Sequence, residues 1–231
     1  MKIKQWGEVW EEKMKVQDEV GIIHGTNSSM KDILNELKKD EKLFSKWLLP
    51  LLPKKAKILD LGVGPMARHS IMFSKEGYAV TGIDISKTTL EHAKKWAKKE
   101  NQKIEFIKAN LVDLSKIGKK YDLVFCTQTF GHIPSYLALI ALNQFKDKTK
   151  KNGYCLVQFW LEKEKSFLKL LNEFLYQVGF MIKKKFKKTF PVNCSAYTQE
   201  EIDDLIKRSG FKLISQKGNL FLLKKANQNE K

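Results

Sequence analysis

Twelve consecutive residues do most to limit what this chain can fold into. Ala56-Lys57-Ile58-Leu59-Asp60-Leu61-Gly62-Val63-Gly64-Pro65-Met66-Ala67 is an apolar run of strand length that ends in a glycine turn and continues into a helical pattern. Gly62 lets the chain leave the strand tightly, and Gly64 lets backbone approach a ligand with no Cβ in the way. A second apolar run, 78–84, ends in Asp84, twenty residues after Gly64. A carboxylate there is placed to accept two hydrogen bonds from vicinal ribose hydroxyls, while the helix beyond the turn offers unpaired N–H groups. A glycine turn alone is a weak signal. Coupled to a following strand that ends in an acid at this distance, it is a strong one.

The rhythm continues downstream. Apolar runs at 56–61, 78–84, 104–108, 121–127 and 154–160 alternate with helical patterns at about 67–76, 87–99 and 135–147, and a short turn falls near 112–116. Such alternation specifies an α/β fold with a doubly wound, mostly parallel sheet. Thr198-Gln199-Glu200-Glu201 is a capping box that opens a helix to about residue 209. FKLIS and LFLL then flank a turn at Gln216–Asn219 containing Gly218, which reads as a terminal antiparallel hairpin and brings the sheet to seven strands.

The first fifty residues read as two helical pieces broken near Gly21–Asn27. The second has Ser29 as N-cap and apolar positions Ile33, Leu34, Leu37, Phe44, Trp47 and Leu48 at near-helical spacing, with Pro50 and Pro53 ending it. The expected organisation is an N-terminal helical lid, 1–53, and a Rossmann-like domain, 54–231, interrupted by an insertion at about 161–197. That insertion holds an amphipathic helix, 163–180, and a lysine cluster at Lys183, Lys184, Lys185, Lys187 and Lys188. Trp6 and Trp10 share a helical face, as core residues or as part of a lid closing over the ligand.

Composition narrows the setting. No apolar run in the 231 residues approaches the roughly 18–20 needed to span a bilayer, and the N-terminus lacks a signal-peptide core. Cys126, Cys155 and Cys194 form no CxxC pair, and the four histidines have no ligand spacing, so the expectation is a cytoplasmic protein without a metal site. The net charge of +17 is carried by 41 lysines and only two arginines, Arg68 and Arg208. Residues 1–50 hold nine basic and nine acidic groups, so the whole excess lies beyond them. Nucleic-acid readers favour arginine for its bidentate fork. The lysines therefore read first as a solvated surface and second as a weak attraction for RNA or an anionic surface.

The glycine turn with its distant acid fits two cofactors, NAD(P) and S-adenosylmethionine. Asp60, two residues before Gly62, would repel a pyrophosphate but is compatible with a ligand that carries an ammonium and a sulfonium cation. Charge favours the methyl donor.

Across roughly residues 55–225 the chain resembles the class I S-adenosylmethionine-dependent methyltransferases. DLGVGP is similar to that family's first motif and GYAVTGIDIS to its second, with Asp84 in the ribose-binding position. FIKANLVDL resembles the third, YDLVFCTQTFGHIP the fourth, and KKNGYCLVQFW the strand after the family's usual glycine turn. YTQEEIDDLIKRSGF and the hairpin match its ending. The resemblance implies a donor site of Asp60, Gly62, Gly64, Asp84, Ile85, Asn110, Leu111 and Gln128, with Ile85 packing on the adenine. Two positions depart from the pattern. Met66 stands where a third glycine is usual, so the turn must bend without that freedom or swing outward. Asn110 stands where an aspartate commonly meets the adenine amine, a bond its amide oxygen can also accept.

His132, beyond the fourth strand, is the candidate catalytic residue as a general base for the acceptor, or else a cap for the helix that Ser135 opens. A nucleophilic cysteine beside proline and an (Asp/Asn)-Pro-Pro-(Tyr/Phe) run are both absent, which counts against chemistry on nucleic-acid bases. The expected function is methyl transfer to a small molecule. An RNA or protein methyltransferase comes second, and an NAD-dependent oxidoreductase or a non-catalytic binding module behind it.

Overall fold

A computed structural model describes residues 8, 10–15, 30–162 and 195–226. Its strands are β1 (Lys57–Leu61), β2 (Ala79–Asp84), β3 (Glu105–Lys108), β4 (Tyr121–Cys126), β5 (Thr149–Gln158), β6 (Phe211–Lys217) and β7 (Leu220–Lys225). The helices are α1 (Met30–Trp47), α2 (Arg68–Lys75), α3 (Lys87–Lys99), α4 (Ala138–Lys148) and α5 (Gln199–Ser209), and residues 10–15 are also helical. The strands form one seven-stranded sheet in the order β3-β2-β1-β4-β5-β7-β6. β7 alone runs antiparallel to its neighbours, so the expected doubly wound sheet with a terminal hairpin is what the chain adopts.

Period-two alternation along the strands divides the core between the two faces of the sheet. Ile58, Leu123, Phe125 and Leu156 face Phe44 of α1, Leu48 just beyond it, and Met72 and Phe73 of α2. Leu59, Leu61, Val124, Cys126, Cys155 and Val157 face Ala141 and Phe145 of α4 and Ile202 and Ile206 of α5. Asp60 shares the strand face of Ile58, so its side chain emerges beneath α2, buried to 4% exposure.

Local chemistry sets the helix ends as the residues dictate. Ser86 accepts from the Thr89 amide at 3.1 Å and caps α3. Thr198 and Glu201 complete both bonds of their capping box at α5, and Gly210 ends that helix with φ 72°. Three expectations need correction. Leu34 is 47% exposed, because the buried stripe of α1 runs through Ile33, Leu37, Phe44 and Leu48 and leaves it to one side. The helix expected from 135 opens as a single 3₁₀ turn, Ser135–Leu137, before α4. β5 begins at Thr149 rather than 154, since Lys151-Asn152-Gly153 is a register shift within the strand and not a turn before it. A Cβ on Gly153 would meet the Asp122 carbonyl at 2.8 Å, so this irregular pairing needs glycine.

The break at 21–27, Ser29, Trp6, Cys194, the 163–180 helix and the 183–188 lysines lie outside the described residues. The residues that flank the expected 161–197 insertion lie side by side. Leu161 bridges to Tyr197, and the Tyr197 amide donates to the Trp160 carbonyl at 2.8 Å. The segment therefore leaves and rejoins the domain at one place, beyond β5.

Candidate active site

The carboxyl ends of β1, β2, β4 and β5 open into a cavity of about 580 Å³. Asp60, Gly62, Gly64, Asp84, Ile85, Asn110, Leu111, Gln128 and His132, the nine residues singled out from the sequence, all line it. Parallel sheets place ligands at this edge because the loops there are free of the hydrogen-bond ladder.

The glycine turn is held in left-handed conformation at both glycines, φ 75° at Gly62 and 66° at Gly64. A Cβ on Gly62 would lie 2.2 Å from the Thr129 methyl, so that position admits nothing larger. A Cβ on Gly64 would meet no atom within 4 Å, which leaves open space beside the backbone. Met66 adopts no left-handed angle. The left-handed step falls on Ala67, φ 46°, directly before α2, so the turn closes without a third glycine.

Asp84 is gripped by the turn it faces. Its carboxylate accepts from the Gly64 amide at 3.3 Å and the Ser86 amide at 3.0 Å. Burial raises its pKa to about 6 despite these bonds, with Asp60 adding to the rise. Asp60 accepts from the Ser70 hydroxyl at 2.6 Å, which ties β1 to the first turn of α2. Burial raises its pKa too, opposed by His69, Ser70 and Arg68. The Asn110 side-chain oxygen accepts from the Val112 amide at 3.1 Å and retains a second lone pair.

Beyond β4 the wall becomes aromatic. His132 lies edge-on to Trp10 and to Trp160, each 4.9 Å between ring centroids. Burial lowers its pKa to about 4, reinforced by the Lys13 cation, so the ring is neutral at physiological pH. Gly131 makes room for the Trp160 ring, which a Cβ would approach to 2.4 Å. Cys126 and Cys155 are buried free thiols, pushed up by burial and away from nucleophilic chemistry.

Several lining residues escaped the sequence reading. His69 links Asp40 of α1, 2.9 Å from Nε2, to the Thr127 hydroxyl, 3.3 Å from Nδ1. Arg68 joins Glu36 of α1 to the side-chain oxygen of Gln128. Gln128 itself stands at φ 56° with its amide donating to Gln158 at 2.7 Å. One signal was available in advance: Asp40 lies three residues after Leu37 and four before Phe44, a carboxylate within the buried stripe of α1.

Known proteins resemble this chain in sequence and in fold. A family model described as a methyltransferase domain matches residues 58–153. The ubiquinone biosynthesis O-methyltransferase of Rickettsia prowazekii is 25% identical over 212 residues, 90% of this chain and 75% of that protein. Its counterpart in Rickettsia akari is 25% identical over 171 residues, and the chain covers 72% of itself and 63% of that relative's length. Among solved structures, magnesium protoporphyrin IX methyltransferase from Synechocystis with bound SAM superposes with a TM-score of 0.67 at 16% identity, over 96% of this chain and 97% of that one. The likeness to that structure is one of fold. Residues 58–153 thus match a methyltransferase domain, and the described fold is that of the Rossmann-like methyltransferases.

Proposed function

We propose that the cavity binds S-adenosylmethionine and that the protein transfers its methyl group to a small-molecule acceptor. The observation that carries this reading is the convergence of Asp60, the Gly62–Gly64 turn, Asp84 and Asn110 on one cavity with open space beside Gly64. The residues fit the donor's chemistry. Asp84 would accept the ribose hydroxyls, Ile85 and Leu111 would pack on the adenine with Asn110 meeting its edge, and Asp60 would face the ammonium. The names of the Rickettsia relatives support a small acceptor.

The acceptor's nucleophilic atom would attack the methyl carbon in line, the C–S bond breaking as the new bond forms and leaving S-adenosylhomocysteine. The protein's part is alignment and exclusion of water, for which the cavity's aromatic side, Trp10, His132 and Trp160, is suited. His132 stays a neutral wall until late. An acceptor hydroxyl becomes strongly acidic once its oxygen carries the methyl, so even a base this weak can then take the proton. The N-terminal residues 1–53 would act as the lid and the 161–197 insertion would shape the acceptor pocket. Among the described residues no helix is long and apolar enough to cross a membrane, and the free Cys126 and Cys155 suit a cytoplasmic setting.

Calorimetry with S-adenosylhomocysteine and with NAD tests the proposal directly. Binding of the first and not the second is expected. Tight NAD binding with no response to S-adenosylhomocysteine would move the protein to the oxidoreductases.

A further inference from the structure

We propose that Arg68 anchors the amino-acid carboxylate of the donor, with Gln128 and Gln158 holding its guanidinium in place; this rests on the S-adenosylmethionine reading above. The donor's far end carries three charges, an ammonium, a sulfonium and a carboxylate. The acids lining the cavity suit the first two, and the carboxylate needs a fixed cation.

The strand order decides where that cation must stand. Along β3-β2-β1-β4, with about 4.8 Å between strands, Asn110 follows β3, and Asp84 and Ile85 lie at the end of β2. Adenine and ribose held there leave the amino-acid portion over β1 and β4. Arg68 is on that side. It follows the left-handed Ala67, and one of its terminal nitrogens donates to Gln128, two residues past β4.

Among the described residues, two cations line the cavity, Arg68 and Lys13. Lys13 lies 4.6 Å from the centroid of the Trp10 ring, on the aromatic side. Arg68 is only 16% exposed, in a chain whose other basic residues are almost all lysine. Its guanidinium spends one terminal nitrogen on Gln128 and the other on Glu36, leaving donors of its five N–H groups for a bidentate carboxylate. The Glu36 contact is long, 3.4 Å, to a side chain 55% exposed, so a ligand carboxylate can displace it. Gln128 reaches Arg68 from a left-handed backbone that is strained for a non-glycine residue, and the 2.7 Å bond from its amide to Gln158 helps sustain it.

The test compares two ligands that differ only by the amino-acid end. S-adenosylhomocysteine has it, and 5′-methylthioadenosine keeps the adenine, ribose and sulfur without it. Calorimetry on the full chain is expected to show Arg68→Gln weakening S-adenosylhomocysteine by about tenfold or more. Arg68→Lys should lose less, and 5′-methylthioadenosine should bind both variants within about twofold of the wild type. Equal losses for both ligands, or no loss for either, would overturn the assignment. If the wild-type protein binds neither ligand, the donor reading itself fails, a result separate from any effect of the variants.

Discussion

Asp84 answers to two opposed demands. Its ordinary value of 3.8 is raised by burial to about 6, so between those values the native protein holds a proton that the unfolded chain has lost. Stability from this group is therefore greatest below pH 4, falls as pH rises towards 6, and at neutral pH the ionised carboxylate is a cost. On the proposed reading donor binding would have the opposite dependence, because only the ionised form would accept from both ribose hydroxyls. Asp84→Asn is expected to raise the melting temperature of the free protein at pH 7.5 but not at pH 4. It should weaken S-adenosylhomocysteine by about tenfold or more. Titrations at pH 5 and 7.5 should show wild-type affinity dropping at the lower pH and the variant unresponsive; equal wild-type affinities would mean that the carboxylate is not the contact. The neighbouring turn makes a different point about single residues. Met66 breaks the glycine pattern, yet the left-handed angle sits on Ala67, where a small side chain tolerates it at modest strain.

The helical segment 10–15 forms part of the cavity wall. Trp10, Lys13 and Met14 line the cavity, and Glu11 between them reaches the N-terminus of α3. Its carboxylate accepts from the Lys87 amide at 2.6 Å, the Thr88 amide at 3.4 Å and the Thr88 hydroxyl at 2.7 Å. Burial opposes its ionisation, but the bonds from Thr88, Ser86 and those amides prevail and hold the carboxyl below its usual range. A carboxylate on a helix N-terminus is the favoured sign. Glu11→Ala is expected to loosen this latch and speed S-adenosylhomocysteine release by about two- to fivefold. Stopped-flow tryptophan fluorescence would follow it, and an unchanged release rate would deny the segment its part as a lid. A second joint lies at the centre of the sheet, where Phe125 packs against Phe44, Phe73 and His69. Phe125→Ala should cost about 3–5 kcal/mol in denaturant unfolding, since the cavity it leaves sits under both α1 and α2.

For the whole molecule, the +17 charge sets long-range behaviour without choosing the acceptor. A diffuse lysine surface attracts polyanions weakly and without sequence preference, and salt screens it. Replacing Lys183, Lys184, Lys185, Lys187 and Lys188 with glutamine is expected to leave S-adenosylhomocysteine affinity unchanged. Filter binding at physiological salt should find no sub-micromolar RNA complex in either protein. A tight complex abolished by the five substitutions would make an RNA methyltransferase the leading reading.

The sequence by itself determined the α/β sheet, the glycine turn, the acid at its partner strand and the capping box at Thr198. These are local: a period of two or 3.6 residues and a turn's demand for glycine are settled by near neighbours. The start of β5 was missed because Gly153 reads as a turn until the close Tyr121 and Asp122 carbonyls explain it. What only the tertiary structure decided is how distant side chains meet. His69 bridges residues 29 and 58 positions away, Arg68 reaches Gln128 across 60, and Trp10 and Trp160 meet His132 from opposite sides of it in the sequence. No local period encodes such pairs. They arise when crossovers bring β1, β4 and β5 side by side and α1 docks against α2, and there the cavity acquires Arg68 and its aromatic wall.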